Sequence, residues 1–336
     1  MNSPQGSSPS RRDVLQAGAV GLTALSIGPN LVASEETNQQ GVPMRPLGKT
    51  GEKVSLLALG GHHSTRAREE KDSLRLIQRA VEEGVTFLDN AWDYHMGVGE
   101  ERMGKALEEG KLRDKVFLMT KVCGRTAEEA QSNLDDSLKR LRTDRIDLWQ
   151  FHEINYDKDP DRVFAGAIKV ALKAVEQGKV RYVGFTGHRD PDVHLKMLEM
   201  PYDWATVQMP LNVLDGTFRS FQKKVLPKLV ERGIGAIGMK SLGGNGGVVS
   251  GVKVPVEQAL RYVFSLPIAA LVSGMDSEAI LEQNLKIVRN LKAMAQDEMA
   301  SLEEKYKAAA SDGRYEGFKT TKNYDGPVHQ KQQLTG

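Results

Sequence analysis

Cysteine is almost absent from this 336-residue chain. Cys123 stands alone, which excludes an intramolecular disulfide and sets the expectation that no cysteine-based metal site is present. The 7 histidines are scattered along the sequence, so no metal cluster is expected from them either. Neither sign of charge dominates. Lysine and arginine total 46 against 44 acidic residues, a formal net charge of +2, which gives no electrostatic case for a nucleic-acid or anionic-membrane partner. The uncharged stretch at residues 17–28 is too short to cross a bilayer as a helix. With 40% hydrophobic residues the chain can build one large core, and roughly 250 residues suffice for a single closed α/β barrel.

The first 34 residues carry an ordered pattern. Residues 1–10 are polar and rich in Ser, Pro and Gly, and Arg11-Arg12-Asp13-Val14-Leu15-Gln16 follows. The uncharged run comes next, then Pro29, then the small-residue exit Val32-Ala33-Ser34 with Glu35 and Glu36 behind it. A basic region, a short apolar region, small residues and a polar start form the order of an export signal. The paired arginines and the weakly hydrophobic run resemble a twin-arginine signal, with Val14 where phenylalanine is usual. The reading is a signal peptide over 1–34 cleaved after Ser34, a linker over 35–43, and a periplasmic protein whose partner is the twin-arginine export machinery. If the signal is not used, the protein stays cytoplasmic.

From residue 43 onward, short apolar runs alternate with longer amphipathic ones. Strands are predicted at 54–59, 85–88, 116–120, 146–151, 182–185, 205–208, 235–239 and 270–273. Helices are predicted at 71–83, 100–109, 126–141, 163–177, 191–199, 218–232, 255–265 and 277–290, from apolar residues at helical spacing and from glycine stops. Thr126 with Glu129 three residues on has capping-box spacing. Strand–helix units repeated in this way favour a (β/α)8 TIM barrel over an open sheet. No Gly-x-Gly-x-x-Gly opens the first strand–helix turn, which argues against a Rossmann domain. Residues 44–48 read as a hairpin plugging the barrel floor. The barrel domain is placed at 44–310, including a further helix over 294–307. The tail at 311–336, rich in Gly, Lys, Thr and Gln, is expected to run extended over the surface or to be partly disordered.

In such barrels catalytic side chains sit at the C-terminal ends of strands. Strand two ends at Asp89 with Tyr94 in its loop, strand three ends at Lys121, and strand four ends at His152. Together these residues read as a proton-delivery system around one oxyanion. A phenol can give a proton to an oxygen that becomes negative, but its reference pKa of about 10 makes it reluctant. A neighbouring ammonium lowers that pKa, a carboxylate keeps the ammonium charged, and an imidazole N–H can hold the substrate oxygen. Cys123 reads as a small apolar residue at a strand end. A metal-dependent isomerase or lyase would need several strand-end carboxylates, and no such cluster is visible.

Residues 84–107, from Gly84-Val85-Thr86-Phe87-Leu88-Asp89 through Tyr94 to Gly99-Glu100-Glu101-Arg102-Met103-Gly104, resemble the first signature of the aldo-keto reductases. Thr120-Lys121, the segment Ile146 to His152, and the stretch Arg45 to Gly51 are similar to that family's third-strand, fourth-strand and N-terminal hairpin motifs. The resemblance covers roughly residues 44–290. It implies hydride transfer between a nicotinamide cofactor and a carbonyl or alcohol, with Tyr94 as acid, Asp89 and Lys121 in support and His152 as partner. It also implies a cofactor extended across the barrel mouth, against Thr186 and Gln208 and the loop of Met239, Lys240, Leu242 and Gly244. Gly274, Asp276, Ser277 and Asn284 would hold the adenosine end. The alternative is a cofactor-binding barrel with a regulatory role and little turnover.

Departures from the family pattern are specific. Gly187 stands where the family has an Asn that holds the carboxamide, and Met239 stands where a Tyr commonly stacks on the nicotinamide. Asp276 occupies a loop position where many members carry Arg or Lys. A carboxylate there repels a ribose phosphate and can accept a hydrogen bond from a ribose hydroxyl, so the reading leans to NAD(H) over NADP(H), with Lys240 or Lys286 able to offset that preference. Trp92, His95, Met96 and His188 are expected to border the substrate, for which sugars, aldehydes and quinones remain open.

Overall fold

The computed structural model describes residues 36–67 and 69–334; the signal-peptide reading falls on residues 1–34, outside the described residues. Among the described residues ten strands are formed: β1 (Met44–Pro46), β2 (Lys53–Ser55), β3 (Leu57–Gly60), β4 (Phe87–Asp89), β5 (Phe117–Val122), β6 (Ile146–Phe151), β7 (Val180–Thr186), β8 (Thr206–Pro210), β9 (Gly235–Met239) and β10 (Ala270–Ser273). Strands β3 to β10 close into a barrel of parallel neighbours, with β10 returning to pair with β3 through Leu271↔Leu57. The (β/α)8 architecture is therefore present, with a floor hairpin and a C-terminal helix at Gln296–Ala310.

The hairpin is β1 against β2, antiparallel, with Met44 opposite Ser55. Its turn pushes Leu47 into the barrel interior, where it is fully buried with Phe87, Met119, Leu148 and Ile237. Burying such a side chain stabilises by about 1.5–3 kcal/mol. Gly48 has a positive φ of 56°, and a Cβ there would lie 2.4 Å from the Gly235 nitrogen, so only glycine lets the plug approach β9. The Arg45 guanidinium donates to the carbonyls of Phe264, Leu266 and Ile268 at 2.8–3.2 Å. It thereby ties the hairpin to the segment leading into β10.

The first predicted strand, 54–59, is two strands. The chain breaks at Leu56, whose N–H donates to the Pro43 carbonyl. Ser55 Oγ donates to the Leu57 carbonyl and accepts from the N–H groups of Thr86 and Phe87. A hydroxyl that satisfies three backbone groups makes a corner that an unbroken apolar run cannot announce. The predicted helix at 218–232 is likewise divided into Phe221–Lys224 and Leu226–Glu231, because Pro227 lacks the N–H that a continuous helix would use.

The outer helices follow their patterns. Glu70–Glu82 buries Leu74, Ile77, Ala80 and Val81, and Gly84, at φ 93°, ends it. Thr126 caps Ala127–Arg140 in a complete capping box with Glu129.

The tail departs furthest from expectation. It is folded, with helices at Gly317–Thr320 and Pro327–Leu334, and it runs across the C-terminal face of the barrel. Lys319 is fully buried and donates to Asp215 at 2.6 Å and Glu316 at 3.0 Å. Asp325 accepts from Asn155 and from the Tyr156 hydroxyl. Charged residues that read as surface composition are spent on buried pairs with loops beyond β6 and β8.

Candidate active site

The polar strand ends meet at the mouth of the barrel. Asp89, the last residue of β4, forms a buried ion pair with Lys121 of β5. The Lys121 ammonium also donates to the Asn90 carbonyl at 2.6 Å and to the Tyr94 hydroxyl at 3.2 Å. Its nitrogen sits 4.8 Å from the Tyr94 ring centre. His152 follows β6 and turns edge-on to Tyr94, with ring centres 5.8 Å apart. The four predicted side chains thus converge, three through direct polar contacts and His152 through its ring.

Electrostatics refine the expected roles. Burial pushes the Tyr94 phenol well above its ordinary range, and the Asp89, Asp93 and Glu153 carboxylates push it further. The Lys121 ammonium, 3.2 Å from the hydroxyl, does not outweigh them. The phenol is therefore held protonated, the form that carries the proton a donor must give. Burial also raises the Asp89 carboxyl, against the pull of Lys121.

A second layer of groups escaped the sequence reading. His62 and His63 directly follow β3 and Gly61. His62 stacks on His95 at 4.8 Å and meets Tyr94 edge-on at 5.2 Å. Desolvation, with His63 and His95 beside it, lowers its pKa to about 4, so it stands neutral at the mouth. Its position at the end of the first barrel strand is the signal that marks it. Asp93 lies 3.2 Å from His152 Nδ1. Glu153 has a positive φ of 53° and accepts from the Gly326 N–H. Backbone strain of this kind collects at functional sites. His329, from the tail, packs edge-on to His152 at 5.2 Å; no local sequence signal marks it.

The four residues expected to border the substrate separate. His95 lies beside His62. Met96 is 94% exposed. Trp92 turns toward the helix Ala127–Arg140, donating to Asp136 and lying under Arg140. His188 is buried beneath the tail, bonded to the Phe318 carbonyl and Asn155.

The expected cofactor residues line one side of the same mouth. Thr186 ends β7, Gln208 lies in β8 and Met239 ends β9. Gln208 is buried, and its Oε1 has no hydrogen-bond partner among the described residues. A buried orphan acceptor here fits a carboxamide N–H donor. Gly187 is sterically fixed: a Cβ would fall 2.2 Å from the Ile154 carbonyl oxygen, so no asparagine can stand there. Lys240 adopts a positive φ of 56° and lies 5.8 Å from the Phe318 ring centre. Leu242 is half-buried, while Gly244 is exposed beside Tyr324 of the tail. Beyond β10, Gly274 abuts the His63 ring. Asp276 is exposed. Ser277 caps the helix Glu278–Arg289, and Asn284 donates to Ser273 at 2.9 Å. Lys286 sits in the last turn of that helix, about 13 Å along its axis from the capping end.

Comparison with known proteins identifies the family. The model of the Aldo/keto reductase family matches residues 56–254. The chain is 29% identical over 221 residues to the uncharacterized oxidoreductase YrpG of Bacillus subtilis (strain 168), covering 59% of this chain and 66% of that one. It is 31% identical over 192 residues to the aldo-keto reductase YhdN of the same organism, covering 53% and 55%. The matched segment thus spans between about half and two thirds of these curated relatives. Among solved structures, the holo form of aldo-keto reductase AKR11C1 from Bacillus halodurans superposes with a TM-score of 0.68 at 21% identity, over 82% of this chain and 99% of that one; this likeness concerns the fold.

Proposed function

The chain belongs to the aldo/keto reductase family, and on that premise we propose that it is an NAD(P)-dependent oxidoreductase moving a hydride between the nicotinamide and a carbonyl or alcohol. The observation that carries the reading is the Lys121 ammonium, which bridges Asp89 and the Tyr94 hydroxyl at the barrel mouth. A bound nicotinamide would supply the hydride, and Gln208 and Thr186 would hold its carboxamide.

The chain's own groups do the rest. Tyr94, held protonated by burial, delivers a proton to the substrate oxygen as negative charge develops on it. Lys121 stabilises the phenolate left behind, and Asp89 keeps that ammonium aimed at the hydroxyl. His152, edge-on to Tyr94, holds the substrate oxygen through its imidazole N–H.

Tyr94→Phe removes the transferable proton and leaves the ring. The turnover number for reduction is expected to fall about 10²- to 10⁴-fold, with nucleotide binding, followed by nicotinamide fluorescence, unchanged. Unchanged turnover overturns the mechanism.

We further propose NAD(H) as the preferred cofactor, because Asp276 carries the wrong charge for a ribose phosphate. Clearly tighter NADPH binding in a fluorescence titration would refute this. Export to the periplasm by the twin-arginine route is proposed from Arg11-Arg12 and the run behind them. That route carries folded proteins, so the nucleotide would be acquired in the cytoplasm. An intact mass of the exported protein that begins near Glu35 is expected, and any other start counts against it.

A further inference from the structure

Behind Tyr94, four residues of four different segments turn their ligand atoms toward one point: Asp93 from the loop after β4, Cys123 after β5, His152 after β6, and His329 from the tail. Those atoms all lie within 4.8 Å of one another. His152 Nδ1 is 3.2 Å from Asp93 Oδ1 and 3.5 Å from Cys123 Sγ. A tetrahedral ion with bonds of about 2.0–2.1 Å to nitrogen or oxygen and about 2.3 Å to sulfur has ligand–ligand edges of about 3.3–3.6 Å. Two edges of that polyhedron already have the right length, and small side-chain rotations close the others.

The cluster is not a satisfied hydrogen-bond network. Asp93 Oδ1 and His329 Nε2 are buried without a hydrogen-bond partner among the described residues; they face His152 Nδ1 at 3.2 Å and Glu153 Oε2 at 4.0 Å as charge contacts. The neighbouring trio of Glu153, His188 and Asp325 differs. There His188 is bonded through both ring nitrogens, Glu153 accepts from the Gly326 N–H, and Asp325 accepts from the Tyr156 hydroxyl. That trio fastens the tail and has no ligand atoms to spare.

Charge points the same way. Asp93 and Glu153 place two buried carboxylates beside one buried guanidinium, Arg125, which donates to the carbonyls of Cys123 and His152. A divalent cation cancels the excess. Two imidazoles, a thiolate and a carboxylate form a donor set suited to zinc-like ions rather than to calcium or magnesium.

We infer that Asp93, Cys123, His152 and His329 form a binding site for one divalent transition-metal ion of the zinc type, completed by the C-terminal tail. Binding replaces the Cys123 thiol proton, which leaves to solvent, with the metal–sulfur bond; no redox change is involved. Ligation through Nδ1 leaves the proton of His152 on Nε2 and fixes the ring's orientation. The ion also pins the tail over the barrel mouth. The assignment stands independently of the proposed hydride transfer, since its readouts do not involve turnover.

The test uses the full chain. Purified protein is loaded with Zn²⁺ or Co²⁺, desalted, and measured by elemental analysis and absorption spectroscopy. One ion retained per chain is expected, with the thiolate-to-cobalt charge-transfer band and tetrahedral d–d bands in the Co²⁺ form. Cys123→Ser should abolish the charge-transfer band. His329→Ala should weaken Co²⁺ binding at least about tenfold, the loss seen when even an outer partner of a metal ligand is removed. His329→Gln, closer in size, guards against loss of the tail fold, checked by thermal unfolding. No retained ion overturns the inference. So does a Co²⁺ form without a thiolate band, or folded His329 variants that bind as tightly as the parent.

Discussion

The two ends of the barrel are built to opposite rules. At the floor, the hairpin drives Leu47 among Phe87, Met119, Leu148 and Ile237, all apolar and well packed. At the mouth, Asp89, Lys121, His152 and Glu153 are buried together, and polar atoms of Asp93, Gln208 and His329 have no hydrogen-bond partner among the described residues. One end supplies stability and the other withholds it for chemistry. That division follows from the parallel barrel itself, in which every strand points its C-terminal end the same way.

The comparison can be broken by substitutions that cross the divide. Tyr94→Phe carries the largest expected effect, about 10²- to 10⁴-fold in turnover, with almost no change in melting temperature. Next comes acid sensitivity behind the mouth. His194 is fully buried against Phe185 and Phe221, and burial lowers its pKa from 6.5 to about 3. The fold thus resists protonating it, while the unfolded chain takes the proton near its ordinary pKa. Its contribution is complete above pH 6.5 and is lost as pH falls toward 3, a change of about 3–5 kcal/mol. Denaturant titrations across that window should fall less steeply for His194→Phe; an identical slope would break the assignment.

Leu47→Ala at the floor should cost about 2–5 kcal/mol of stability and leave turnover per folded molecule intact. A loss of activity without a loss of stability would erase the contrast between the ends. Thr126→Ala, on the outer ring, should cost about 1 kcal/mol, read as a small shift of the urea midpoint, because it removes the acceptor for the Glu129 N–H.

Much of the barrel was legible in the sequence because a buried parallel strand and an amphipathic helix each leave a periodic trace. The convergence of Asp89, Tyr94, Lys121 and His152 was legible because strand ends share one face. Three things were hidden. The corner at Ser55 lies inside an unbroken apolar run and depends on one hydroxyl serving partners from two strands. His62 and His63 follow glycines at a strand end that carried no expected role. The tail hid best, since Lys319, Asp325 and His329 look like solvent-facing composition until Asp215, Tyr156 and His152 are brought alongside them.

The pairing of β3 with β10 has a consequence for biosynthesis. A ribosome must release nearly the whole barrel before its first strand meets its last neighbour, so the sheet stays open-edged for most of translation. The roof over the mouth comes later still. A message truncated after the final outer helix would encode a cylinder able to shut its seam but left without its cover.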